Sequence, residues 1–439
     1  MSDNIIQGNP TKTFFINMIT RDISIKDAIL DLLDNSIDGA SRIKSESYEG
    51  LFIEITINKN EFIVKDNCGG FSLDTAKKYA FRFGRPDDAP EAKGSVGRFG
   101  IGMKRALFKI GKQFEVESKT DTDHFEVIVD VNEWRNKTKI ITQNGDETTI
   151  EDWDFSYENV TIENSNLENK GTYVKVTSLH NEVAELFEDN EFLNALRDDI
   201  ERLLNFSLEK KIKITLNGQD LKSKNIKVFS ENSKLYIFEG EKDGVKFKII
   251  AGLGEIGNPS VSGWYIYCND RLVLEADKTE VTGWGVLPIP KWHIDFVMFR
   301  GIVFMDAEET INLPLTTTKK RIDTTSDIYK SVLSYMREAT LNVIQFLRQV
   351  TTLGAEANEY RELLSEPETK ISVVEMKEIQ TTTGSRNFVA PNLNIDTIAE
   401  QKDTVRIAFN VNKEIANRAK NHSGINHLKS LENFCLIIT

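Results

Sequence analysis

Residues 27–40, DAILDLLDNSIDGA, constrain the fold more than any other stretch of the chain. Ile29, Leu30, Leu32, Leu33 and Ile37 recur at helical spacing, so the segment reads as an amphipathic helix whose apolar face must be covered. Asp27, Asp31, Asn35 and Asp38 follow at spacings of four, four and three and line the other face. Carboxylates stacked one turn apart repel each other, and Asp and Asn are poor helix formers. A solvated surface accounts for most such rows. A bound cation accounts for them too, and the other motifs have to decide.

The chain has 439 residues, long for a single core, which implies two or three domains. A hydrophobic content of 40% with 28% charged residues fits a soluble globular protein. No segment approaches the ~18 consecutive apolar residues of a membrane span, and the N-terminus lacks a basic stretch followed by an apolar one. Cys68, Cys268 and Cys435 lie far apart, which fits a reducing cytoplasm and argues against a disulfide framework. The five histidines show no metal-ligand spacing with these cysteines, so a zinc site is not expected. A net charge of −13 disfavours a surface coated in phosphate contacts. It leaves room for a local basic groove, or for a partner that carries the DNA-binding surface.

Along the chain, FIEITIN and EFIVK read as a hairpin around the turn NKN, and the second strand runs into Asp66 and a glycine pair. SLDTAKKYAFRFG reads as a helix capped by Ser72. Residues 84–100 are polar and rich in Gly and Pro, and MKRALFKI is a helix stopped by Gly111. Strands follow at QFEVESKT and HFEVIVDV. Residues 143–171 look like an acidic loop insertion before the strand GTYVKVTSL. This order is α+β, not an alternating parallel α/β pattern. A second unit begins near Asn181 with a long helix, LFEDNEFLNALRDDIERLLNF. It continues through strands with turns at Asn217-Gly218 and Asn269-Asp270 to the helix SDIYKSVLSYMREATLNVIQFLRQV. Residues 351–402 look loosely structured, and TVRIAFNVNKEIANRAK reads as a last strand and helix.

Four pieces carry chemistry if the ligand is a nucleotide. Asn35 can give magnesium a hard oxygen, since Mg2+ keeps several waters and takes phosphates as its other ligands. Asp31, one turn earlier, can orient a water towards a terminal phosphate. Asp66, at the end of a strand in VKDNCGGFS, can accept the adenine amino hydrogen. GSVGRFGIGMKRA packs four glycines into nine residues, opens a helix and carries Lys104 in its first turn. Its backbone amides and helix dipole suit phosphate. The fourth piece is the Gly-Thr pair leading the strand GTYVKV.

Taken together these motifs resemble the GHKL superfamily of gyrase B subunits, heat-shock chaperones, histidine kinases and mismatch-repair MutL proteins. The likeness covers residues 12–180. It implies a Bergerat-type ATP-binding α/β sandwich with ATP and Mg2+ as cofactors. The resemblance assigns Asp31 as the catalytic acid and Asn35 as the magnesium ligand. It assigns Asp38, Asp66, Gly70, Gly97, Arg98, Phe99, Gly100, Ile101, Gly102, Met103, Lys104 and Thr172 to the nucleotide. LPLTTTKKRID resembles the transducer loop that supplies a lysine to the γ-phosphate, here Lys319 or Lys320, with Lys319 favoured because it directly follows the Thr run. The implied organisation is an ATP-binding domain over residues 1–180, a ribosomal-protein-S5-like transducer domain over 181–350 and a C-terminal region over 351–439.

Within the superfamily, VGRFGIGMKRA and the transducer loop are most similar to microrchidia-like ATPases, including bacterial ones. That likeness implies an ATPase that dimerises on binding ATP and acts as a switch or clamp on DNA or a partner protein encoded nearby, in genome defence. The alternatives are a heat-shock-type chaperone, for which the C-terminal region is short, and a type IIB topoisomerase B-like subunit. A histidine kinase is disfavoured because the first histidine is His124. Two departures stand out. The acid in the gyrase and MutL branches is usually Glu, and the shorter Asp31 implies a displaced water and slow turnover. The first glycine of the Asp-x-Gly-x-Gly motif is Cys68 here.

Overall fold

The computed structural model describes residues 8–84, 101–143, 146–229, 233–254, 258–316, 321–352, 370–381 and 385–390. Helix α1 (Lys12–Arg21) starts at Thr11, whose side chain accepts from Phe14 N–H, and α2 (Ile25–Ile43) starts at Ser24, which accepts from Asp27 N–H. Strands β1 (Phe52–Asn58) and β2 (Glu61–Asp66) form the expected hairpin, with Asn58 Oδ1 accepting from the Asn60 and Glu61 amides at 2.9 and 3.2 Å. The segment after Ser72 makes one α-turn, α3 (Leu73–Thr75), and then widens into a π-helical turn over Ala76–Ala80. Helix α4 (Gly102–Ile110) ends at Gly111, as its sequence implied, and feeds directly into β3 (Gly111–Lys119) and β4 (His124–Asp130).

The short helix α5 (Val131–Asn136) leads to β5 (Thr138–Gln143) and β6 (Asp146–Glu151), which among the described residues form a two-stranded sheet of their own. The expected loop over 143–171 is therefore partly a hairpin arm, followed by β7 (Glu158–Asn159). Its composition hid it, because most positions of this two-stranded ribbon are solvent-exposed and no apolar alternation is needed. Strand β8 (Gly171–Leu179) then inserts between β2 and β3.

The long helix expected next is three helices: α6 (Asn181–Glu188), α7 (Asn190–Leu203) and α8 (Asn205–Glu209). Asp189 breaks the first junction by capping α7, with Oδ1 accepting from Glu191 N–H at 2.8 Å. Strands β9 (Lys213–Leu216) and β10 (Gln219–Asp220), joined by left-handed Asn217 and Gly218, complete an eight-stranded sheet of order β10-β9-β1-β2-β8-β3-β4-β7. One core joins α2 and α4 to this sheet and includes Leu33, Ile53, Phe62, Leu107 and Val176.

The short β11 (Val228–Phe229) precedes a five-stranded sheet. Its strands are β12 (Tyr236–Lys242), β13 (Val245–Leu253), β14 (Gly263–Cys268), β15 (Arg271–Asp277) and β16 (Phe299–Ala307), in the order β12-β13-β16-β14-β15. Helix α9 (Asp327–Thr352) covers one face, where Trp264 Nε1 donates to Thr340 Oγ1 at 3.1 Å. On the other face, β17 (Lys370–Ile371) pairs with β11, and α10 (Val373–Glu378) buries Val373 and Met376 against Ile250, Tyr265 and Phe304. Residues 370–379 are thus a packed part of this sheet's cover, where the sequence suggested loose structure. The strand and helix expected at 404–420 lie outside the described residues.

Candidate functional site

From Ala28 to Ala40, Asn35 is the only exposed residue. Asp31, Asp34 and Asp38 are buried, so the acidic row is not a solvated face. Helix α2 packs beside α4 on the eight-stranded sheet and also meets β15. The Arg105 Nη2 to Asp31 Oδ2 distance is 2.5 Å, and a side chain on Gly102 would begin 3.4 Å from the same oxygen. The N-terminus of α4 therefore abuts the acid. Asp34 pairs with Arg271 of β15 at 3.4 Å.

Asp66 ends β2 under the same helix. Its Oδ2 accepts from Ser36 Oγ–H at 2.6 Å, and its Oδ1 accepts from the backbone amides of Cys68 at 2.8 Å and Thr172 at 3.2 Å. Burial pushes its carboxyl above the usual range, and these three donors pull it back. The junction is tight. A Cβ on Gly39 would sit 2.6 Å from the Cys68 carbonyl oxygen, and one on Gly171 would sit 1.9 Å from the Asp66 carbonyl oxygen.

The Asp-Asn-Cys-Gly-Gly turn explains the missing first glycine. Gly69 and Gly70 hold the left-handed positions, with φ +88° and +63°, whereas the Cys68 side chain is buried and its amide serves Asp66. A Cβ on Gly70 would also meet the backbone oxygens of Lys119 and Gly171 at 2.5 and 2.7 Å.

Ile101, Gly102 and Met103 line the start of α4, each half-buried. Lys104 is almost fully buried, donates from Nζ to the Ala80 carbonyl at 2.6 Å, and is pulled down to about 7 by that burial. Gly97, Arg98, Phe99, Gly100, Lys319 and Lys320 lie outside the described residues. Among the described residues, no group of three or more His, Cys, Asp or Glu side chains could hold a metal ion. A magnesium ion bound through Asn35 and phosphate oxygens needs no such cluster. Asn35, exposed on α2, offers an amide oxygen of the hard kind that this ion takes.

Sequence reasoning passed over Ser36, Arg105 and Arg271. Ser36 carried a signal, as a small polar residue beside Asn35 on a side of the helix that has to be buried. Arg105 carried another, because neighbouring basic residues in the first turn of a helix point in different directions. Arg271 carried none, since its role depends on a contact across more than two hundred residues, from position 34 to position 271.

Asp66, Thr172 and the helix bearing Asn35 thus converge on one junction. Residues 23–172 match the family model described as Histidine kinase-, DNA gyrase B-, and HSP90-like ATPase. The matched segment spans α2 through the start of β8 and holds Asp31, Asn35, Asp66 and Thr172. It supports a GHKL-type ATPase domain in this part of the chain. No curated protein matches the chain. Among the described residues, no helix is long and apolar enough to cross a membrane.

Proposed function

We propose that the chain is a Mg2+-dependent GHKL ATPase whose nucleotide site lies at the junction of α2, β2, β8 and the N-terminus of α4. The observation that carries this reading is Asp66. It is a buried carboxylate held by Ser36, Cys68 and Thr172 beneath α2, the helix that presents the exposed Asn35. In this site Asp66 accepts the adenine amino hydrogen, Asn35 offers its amide oxygen to magnesium, and Asp31 orients the attacking water. Magnesium held through Asn35 would neutralise phosphate charge. Asp38, Gly70, the residues from Gly97 to Lys104, and Thr172 surround the nucleotide. Phosphate near Lys104 favours its protonated form.

The base preference tests Asp66. A buried acceptor that suits the adenine amino group faces the carbonyl oxygen of guanine, another acceptor. ATP should therefore be used at least ~10-fold better than GTP, about 1.4 kcal/mol, as ratios of kcat/KM. Equal use of the two nucleotides would assign Asp66 to closing a turn.

We read residues 181–350 as an S5-like transducer and the chain as closest to microrchidia-like ATPases, working as an ATP-driven dimeric clamp on DNA or a partner protein in genome defence. The mixed five-stranded sheet backed by α9, and its contact with α2 through Arg271, support a second domain that senses the first. Lys319 is the favoured γ-phosphate contact, and Lys320 is the neighbour that replaces it if the loop register differs. Lys319→Ala should leave ADP affinity nearly unchanged, slow hydrolysis and weaken the compact ATP state seen by limited proteolysis, because only ATP presents the extra charge. Normal hydrolysis and compaction in both single alanine variants and in the double would remove this loop from the site.

A further inference from the structure

The nucleotide site described above uses Asp31, Asn35 and Asp66 but leaves Asp34 unexplained. Asp34 is 3% exposed and Arg271 is 9% exposed; they lie 3.4 Å apart, and both line a cavity of about 50 Å³ together with Asp31, Arg105, Leu203 and Leu272. Burying an ion pair is costly, and it is tolerated when hydrogen bonds satisfy both partners. On the arginine side that condition is not met. Among the described residues, Arg271 Nε and Nη1 and Arg105 Nε have no hydrogen-bond acceptor, although all three atoms are buried. Arg271 thus has donor capacity that its contact with Asp34 leaves unused.

The rigidity of each partner's support suggests a use for the contact. Arg271 opens β15 directly after the left-handed residues Asn269 and Asp270. Asn269 fixes this turn to β16, donating to the Ala307 carbonyl at 3.2 Å and accepting from the Ala307 amide at 3.0 Å. Lys377 of α10 donates to Asp270 at 2.5 Å. Arg271 therefore moves with the five-stranded sheet as one body. Asp34 is equally fixed to α2, three residues from Asp31 and one from Asn35. A second ionic path, from Lys26 through Asp199 and Arg202 to Glu275, runs beside it, but its groups are partly solvated and so contribute less.

We propose that Arg271 is a positioning residue. Through Asp34 it couples the five-stranded sheet to the helix carrying Asp31 and Asn35, so that nucleotide occupancy and sheet position set each other. Such coupling is reciprocal, and it requires that the pair differ between the nucleotide-bound and nucleotide-free states. The proposal rests on the ATP site described above.

Hydrogen exchange on the full chain, with and without a non-hydrolysable ATP analogue and Mg2+, tests it. In the native chain, analogue binding should alter exchange across residues 263–277 as well as within 23–172. In Arg271→Met, analogue affinity should stay within about threefold while the change at 263–277 disappears, and Arg271→Lys should restore it. Asp34→Asn keeps the shape of the pair and should behave as Arg271→Met does, which keeps the test open if the methionine variant fails to fold. Binding without any change at 263–277 in the native chain, or a change that persists in Arg271→Met and Asp34→Asn, would overturn the coupling alone. Failure of the native chain to bind the analogue would overturn the ATP site on which it rests.

Discussion

Asn35→Ala should weaken magnesium-dependent nucleotide binding by roughly two decades or more while leaving the fold intact. Asn35 is the single exposed position between residues 28 and 40, so its side chain supports no core contact that the substitution would remove. Its loss deletes one metal ligand, and with it the phosphates that the metal positions. The expected cost is about 3 kcal/mol, roughly a hundredfold in affinity at ~1.4 kcal/mol per decade. Circular dichroism and thermal melting should be unchanged within error, because surface substitutions away from packed groups shift stability by ~0.5 kcal/mol or less. Native ATP affinity in the variant would remove Asn35 from the site.

The second large effect is on turnover. Asp31→Asn keeps the size of the side chain and removes the charge that orients water. ATP should still bind, and hydrolysis should fall by ~10²-fold or more. The closed ATP state should then accumulate, and sedimentation should show it as a dimer. The geometry sharpens this expectation, because Asp31 is not open to bulk water. Arg105 holds one of its oxygens at 2.5 Å, and the start of α4 approaches the same oxygen. With Asp31 as the base, the proposed hydrolysis requires this neighbourhood to rearrange. Hydrolysis at the native rate in Asp31→Asn would place the base elsewhere, with Asp34 the first residue to examine.

The sequence made some of this site legible because the chemistry was local. The acid-to-Asn spacing needs only a helix, and the β1–β2 hairpin with Asp66 at its end needs only alternation and a turn. The glycines after Asp66 needed only their left-handed conformations. What stayed hidden was tertiary or polar. Ser36 matters because β2 ends beneath it, and Arg271 matters because the second sheet packs against α2. The β5–β6 ribbon is solvated and so carries no hydrophobic period. The break at Asp189 was readable, since Asp at a helix junction is a capping residue, but the apolar period running through 186–204 outweighed it. In α10 the capping box from Ser372 to Glu375 was present in the sequence and was masked by its polar surroundings.

Calorimetric titration of ATP with Mg2+ into the full chain, beside the same titration of Asn35→Ala, asks whether α2 and Asp66 form a nucleotide site. The expected result is one saturable site per chain, weakened both by chelating the metal and, about a hundredfold, in the variant. No saturable heat at millimolar ATP, or equal binding by the native chain and Asn35→Ala, would contradict it.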